Sequence, residues 1–192
     1  MVVKQTAIQE VKKKKKIWVP ILASKEFNSQ ELGETFVEDP QQCMGRVVSV
    51  NLMMLTKDPK KQNFNVKFKV NEIKNNQALT ELVSYIIQVA QFKRTTKKGK
   101  NKVDDSSRYK TKDNVDIVIK PIFLTKSLTY KTTLKLIRKN SRELLDKYTK
   151  NSTYSQIMVD IISNNLQRDL KNGIKKTYPV INCIIKEASK LS

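Results

Sequence analysis

A chain of 192 residues with 38 Lys and Arg against 18 Asp and Glu carries a formal charge of +20, more than solubility needs and enough to imply a polyanionic partner, nucleic acid or acidic lipid. Histidine is absent, which removes the usual general base near neutral pH and the commonest metal ligand; Cys43 and Cys183 are too far apart for a paired metal spacing and are expected as buried free thiols. No run reaches the roughly 18 to 20 apolar residues a bilayer demands, and Met1-Val2-Val3-Lys4-Gln5 lacks the apolar core of a secretory signal, so a protein that spans no membrane, stays in the compartment where it is made and holds no cofactor is expected.

Residues 1–16 are expected as a flexible basic arm ending in Lys12, Lys13, Lys14, Lys15 and Lys16, and residues 17–192 as a single domain. An extended segment is expected to begin at Ile17-Trp18-Val19. Gly45 to Leu52 is β-branched between turn formers and reads as a strand, with Asp58-Pro59 turning the chain after it. In Asn63 to Asn71 every even position is large and apolar and every odd one polar, the period of a half-buried strand with one wet, basic face. Ala78 to Phe92 is read as a strand followed by a short helix. After the turn at Asp113-Asn114, Val115, Ile117 and Ile119 alternate with polar residues as far as Pro121, where an edge or bulge is expected. The strands on either side of the intervening basic tract are expected to pair with each other.

From Lys131 the period becomes helical: Leu134, Ile137, Ser141, Leu144, Leu145 and Tyr148 form an apolar stripe. Thr153 followed three positions later by Gln156 predicts a helix start with reciprocal capping, continued by Tyr154, Ile157, Met158, Ile161, Ile162 and Leu166 in a helix that packs on the sheet. A further helical stretch over 167–178 is expected to be interrupted at Gly173 and to stop before Pro179, giving way to a last strand from Val180. Strands first and helices afterwards predict an α+β domain.

Most of the positive excess lies between residues 40 and 150. The tract Lys93, Arg94, Lys97, Lys98, Lys100, Lys102 is followed by Arg108 and Lys110, and Lys131, Lys135, Arg138 and Arg142 recur at helical spacing as a second, cationic face. Cations this dense repel one another, and phosphates relieve that repulsion with release of condensed counterions. Trp18 is read either as core or as a stacking surface for an unpaired base. Two rivals stand beside RNA anchoring: a free-standing basic RNA- or DNA-binding chaperone, and a nuclease holding Mg²⁺ on Asp104-Asp105 and Asp113-Asp116. Without a third carboxylate, those acids are read as ion-paired surface residues.

The order of short motifs resembles the archaeal and eukaryotic small-subunit ribosomal protein family three-Ae. Lys16-Ile17-Trp18, Leu32-Gly33-Glu34-Thr35, Asp39-Pro40, Gly45-Arg46-Val47-Val48-Ser49-Val50, Asn76-Gln77-Ala78-Leu79-Thr80, Thr111-Lys112-Asp113, Phe123-Leu124-Thr125 and Lys175-Lys176-Thr177-Tyr178-Pro179 carry the resemblance. It implies a β-barrel-like antiparallel body with C-terminal amphipathic helices, seated on the small-subunit platform near the mRNA exit. The implied partners are small-subunit rRNA, neighbouring ribosomal proteins and mRNA near the exit, in a structural and assembly role without catalysis. Trp18, Arg46, Lys93, Arg94, Lys97 and Lys98 match the family's N-terminal tryptophan, first-strand arginine and basic helix. Asn114 stands where relatives tend to have glycine, a change Asn tolerates in left-handed geometry.

Overall fold

The computed structural model describes residues 15–95 and 98–191; Lys12, Lys13 and Lys14 of the expected arm, and Lys97, lie outside them. In chain order the elements are β1 (Ile17–Leu22), β2 (Glu31–Val37), β3 (Val47–Asn51), α1 (Leu52–Thr56), β4 (Phe64–Lys74), β5 (Gln77–Ile87) and α2 (Val89–Thr95). Then come β6 (Lys102–Asp104), β7 (Ser107–Lys110), β8 (Asp116–Thr125), α3 (Lys131–Asn151), α4 (Tyr154–Ile162), α5 (Asn165–Lys175) and β9 (Val180–Lys190). The class is α+β. The main path of the nine-stranded sheet runs β2-β1-β5-β9-β8-β6, with β3 and β4 branching from β5 and β7 lying beside β8. Among the described residues no pairing joins the two ends of this order.

The alternation over 63–71 becomes β4, whose Val66, Phe68 and Val70 are buried while Lys67 and Lys69 face water. A two-residue turn at Asn75 and Asn76, both with positive φ, returns the chain as β5. Left-handed geometry at both turn positions matches the twist of the flanking strands, and Asn accepts it more readily than most residues. β5 then serves as a hub. One edge takes β4 over nearly its whole length, and the other is divided, the first half going to β1 in parallel and the second to β9 in antiparallel.

Direct pairing across the basic tract does not occur. The tract folds back as β6 and β7, which occupy one edge of β8, and the other edge is taken by β9, whose Val180, Cys183, Ile185 and Ala188 are buried. β9 therefore sits between β5 and β8. Pro121 lies inside β8, where the register against β9 shifts between Lys120 and Pro121 and β7 has given way to β6 on the opposite edge. A residue without an N–H is tolerated at such a break in the ladder. The strand read over 45–52 also ends earlier than its apolar run, because the Asn51 side chain accepts the Met53 N–H at 2.9 Å and starts α1.

Helix α3 buries Ile137, Ser141, Leu145 and Thr149 with Leu134, Leu144 and Tyr148 half-buried, close to the predicted stripe. Its two buried hydroxyls are satisfied inside the helix, Ser141 donating to the Arg138 carbonyl and Thr149 to that of Leu145. The Thr153–Gln156 capping box opens α4 as expected, and the Tyr154 hydroxyl lies 3.0 Å from the Leu82 and Val83 carbonyls, binding α4 to β5. Gly173 does not interrupt α5. A Cβ there would fall 2.6 Å from Leu144 Cδ1, so the glycine marks the close crossing of α5 over α3. The main core joins α3, α4 and α5 to β4, β5, β8 and β9, and a smaller one lies under β1 and β2 around Val19, Ile21, Val37 and Cys43. Each large apolar side chain fully buried there stabilises by about 1.5 to 3 kcal/mol.

Candidate nucleic-acid interface

The fold sorts the expected cations into two regions at opposite ends of the sheet order. At the β2–β1 end stand Lys15, Lys16, Trp18 and Arg46. Trp18 is not core: it is 62% exposed and pairs across the strands with Phe36, itself 49% exposed. The two ring centroids are 4.8 Å apart, and Lys16 Nζ stands 5.9 Å from the Phe36 centroid. The reason is strand parity, since Val19 and Ile21 point into the smaller core and Trp18 must point the other way. Two large aromatic faces in water beside a cation form a surface on which a nucleobase can stack. Arg46, just before β3, donates a hydrogen bond to the Thr35 hydroxyl on the neighbouring β2. Phe36 was missed by sequence reasoning, because Thr35-Phe36-Val37 shows no alternation to mark it as outward-facing.

At the β8–β6 end, folding gathers the tract and the helical ridge. Lys93 and Arg94 lie in the last turn of α2, whose Phe92 ring is approached by Lys102 of β6 at 4.6 Å and Lys186 of β9 at 6.0 Å. Asn101 accepts the Thr129 N–H at 2.7 Å and so ties the tract to the segment entering α3. Arg142 clamps Asp105 with two charge-assisted bonds from its guanidinium, and Arg138 Nε reaches the Asp104 carbonyl at 3.4 Å. Hydrogen bonding from Arg142 is the main cause holding the Asp105 carboxyl below its ordinary range, against the opposing effect of burial.

This clamp divides the ridge by role. Arg142 positions α3 on the β6–β7 connection, whereas Lys131, Lys135, Lys93, Arg94, Lys98, Lys100, Arg108 and Lys110 make no ion pair among the described residues. Three of the four acids considered as metal ligands are engaged, Asp104 by Lys102 at 2.6 Å, Asp105 by Arg142, and Asp113 by the Tyr154 N–H at 3.2 Å. Both cysteines are free and buried, and burial pushes the Cys183 thiol up to about 12. No helix among the described residues is long and apolar enough to cross a membrane.

A model of the ribosomal S3Ae family matches residues 4–192. Proteins named small ribosomal subunit protein eS1 are similar over most of their length. That of Nanoarchaeum equitans is 30% identical over 174 residues, covering 91% of this chain and 88% of the relative. That of Methanocaldococcus jannaschii is 29% identical over 182 residues, covering 93% and 81%, and that of Halorubrum lacusprofundi is 28% identical over 168 residues, covering 88% and 78%. The motif order read from the residues and a match spanning nearly the whole chain agree, and the chain belongs to the ribosomal S3Ae family.

Proposed function

We propose that the chain is a structural constituent of the small ribosomal subunit, anchored to small-subunit rRNA by its cationic surface and acting in subunit assembly and translation rather than in catalysis. Family membership, together with relatives named as small-subunit proteins, supports the ribosomal role. The observation that carries the RNA-binding part is the set of cations without acidic partners gathered where α2, β6, β7 and α3 meet. Lys93, Arg94, Lys98, Lys100, Arg108, Lys110, Lys131, Lys135 and Arg138 neutralise phosphates there, with Lys97 in the same tract and Lys102, paired with Asp104, at the edge of the set. At the other end Lys15, Lys16, Arg46 and Trp18 form a second contact, extended by Lys12, Lys13 and Lys14.

In this reading the nine-stranded sheet is the barrel-like body implied by the family resemblance. It sits in the cytoplasm on the subunit platform near the mRNA exit, beside neighbouring ribosomal proteins, with mRNA within reach and no membrane contact. Folded RNA chooses the place by shape, and charge supplies the hold. Sedimentation through about 0.5 M monovalent salt tests the reading, because loose electrostatic binding falls steeply as salt rises. Retention with small subunits is the expected result. Release of the chain into the supernatant, with small subunits left otherwise complete, would establish the free-standing nucleic-acid chaperone instead.

A further inference from the structure

A cationic groove lies beside the contacts assigned above and shares only Lys100 with them. Between α5 and the start of β9 a depression of about 750 Å³ is lined by Arg168, Lys171 and Lys175 on one side and by Lys100 and Lys126 on the other, with Val180 and Ile181 between. No carboxylate lines it. Among the described residues none of the five cations makes an ion pair or a side-chain hydrogen bond, whereas Lys102, Lys120, Arg142, Lys150 and Lys190 all have acidic partners. Asp169, the one acid of α5, lies toward Tyr148, where burial first and then Asp160 and Asp169 raise the pKa of the tyrosine hydroxyl. The segregation of charge around α5 is therefore complete: cations to the groove, acid away from it.

We propose that this groove binds the phosphate backbone of a strand of folded RNA, through Arg168, Lys171 and Lys175 on one wall and Lys100 and Lys126 on the other. Continuity selects this occupant over an acidic protein segment. Seven residues of helix at about 1.5 Å each put the three α5 cations within about 10 Å, a row that can follow a polyanionic backbone. Lys100 belongs to the tract already placed against RNA, so the groove continues that surface around the end of the sheet. Helical spacing of 168, 171 and 175 was the sequence signal, and it was hidden because Asp169 and Gly173 break the run.

The inference rests on the RNA-binding reading, and its test separates the two. Full-length protein is titrated with whole small-subunit rRNA transcribed from the same genome, across 50 to 300 mM monovalent salt. The variants are Arg168→Gln/Lys171→Gln/Lys175→Gln, Lys126→Gln alone, and a control of equal charge loss, Lys57→Gln/Lys60→Gln/Lys61→Gln. With about 0.7 to 0.9 of a unit of salt slope per phosphate contact, the triple variant should lose about two units of slope and bind roughly tenfold or more weakly at 100 mM salt. Lys126→Gln should lose slightly less than one unit, and the control should change neither. Lys126 lies on an exposed loop, so its variant reads the groove even if the α5 triple is poorly folded.

Native binding with unchanged affinity and slope in both groove variants overturns the groove alone. The same result with weakened incorporation into small subunits assigns the groove to a protein neighbour instead. Equal loss in the control also overturns it, since only net charge would then matter. Absence of native binding at 50 mM salt overturns the RNA reading and the groove together.

Discussion

Trp18 makes no core contact that its removal would forfeit, so Trp18→Ala should cost at most about 1 kcal/mol in urea melts, the worth of its cross-strand pair with Phe36, while weakening rRNA binding by about 1 to 3 kcal/mol, the value of one base stacked on an aromatic face. Stacking moves no counterions, so the salt slope should stay as in the native chain, and a changed slope in titrations over salt would remove the stacking role. Arg142 acts differently. Asp105 has a side chain only 6% exposed and its partner is Arg142, so Arg142→Ala should cost about 1 kcal/mol after allowance for the half-exposed guanidinium. Because the Asp105 pKa is lowered in the folded state, this stabilisation is complete above the unfolded carboxylate value of about 3.9 and is lost as pH falls through the folded one. Native and variant urea midpoints should therefore differ at pH 7 and converge in acid. Individual residues were the least legible scale: Ile17, Trp18 and Val19 are all apolar, and only pairing with β2 decides which of them faces water. That Arg142 holds Asp105 depends on two segments 37 positions apart meeting, which helical spacing on α3 does not encode.

Elements with their own period were readable. β4 follows from strict alternation, α3 from its stripe, and α4 from a capping box that lies within four residues. β6 and β7 were hidden, because lysine-rich strands at a sheet edge carry little apolar signal and are made by pairing with β8. Gly173 was misread because a glycine in a helical run signals a break just as well as a close crossing. The crossing gives a sharp test. Ala is about 1 kcal/mol better than Gly inside a helix, but its Cβ would press on Leu144, so Gly173→Ala should be nearly neutral in denaturant melts and Gly173→Val should cost about 1 to 3 kcal/mol by overpacking. In a Leu144→Ala background, where the pressing methyls are gone, Gly173→Ala should instead stabilise by about 1 kcal/mol. A gain of the same size in both backgrounds would mean that the two helices do not touch there.

For the whole molecule, a charge of +20 without its polyanion should make the isolated protein a self-repelling body. Raising salt from about 20 to 300 mM shortens the Debye length to below ~10 Å and should raise the melting temperature by roughly 2 to 4 °C in scanning calorimetry, equivalent to about 1 kcal/mol at this size. A fall would mean that the surface ion pairs outweigh the repulsion. Composition made the cationic character legible and the order of strands before helices the α+β class, but the seating of β9 between β5 and β8 was not, because strand partners distant in sequence leave no periodic trace. That seating bears on how the polypeptide is made. Translation delivers β9 after every other described strand, so a nascent chain carries an unpartnered β8 edge, with Ile117, Ile119, Ile122 and Phe123 beside it, until the final stretch emerges. Open edges of that kind invite aggregation. A truncated product ending before Val180 is left with two separate half-sheets and a strongly basic surface, a client for chaperones and proteases.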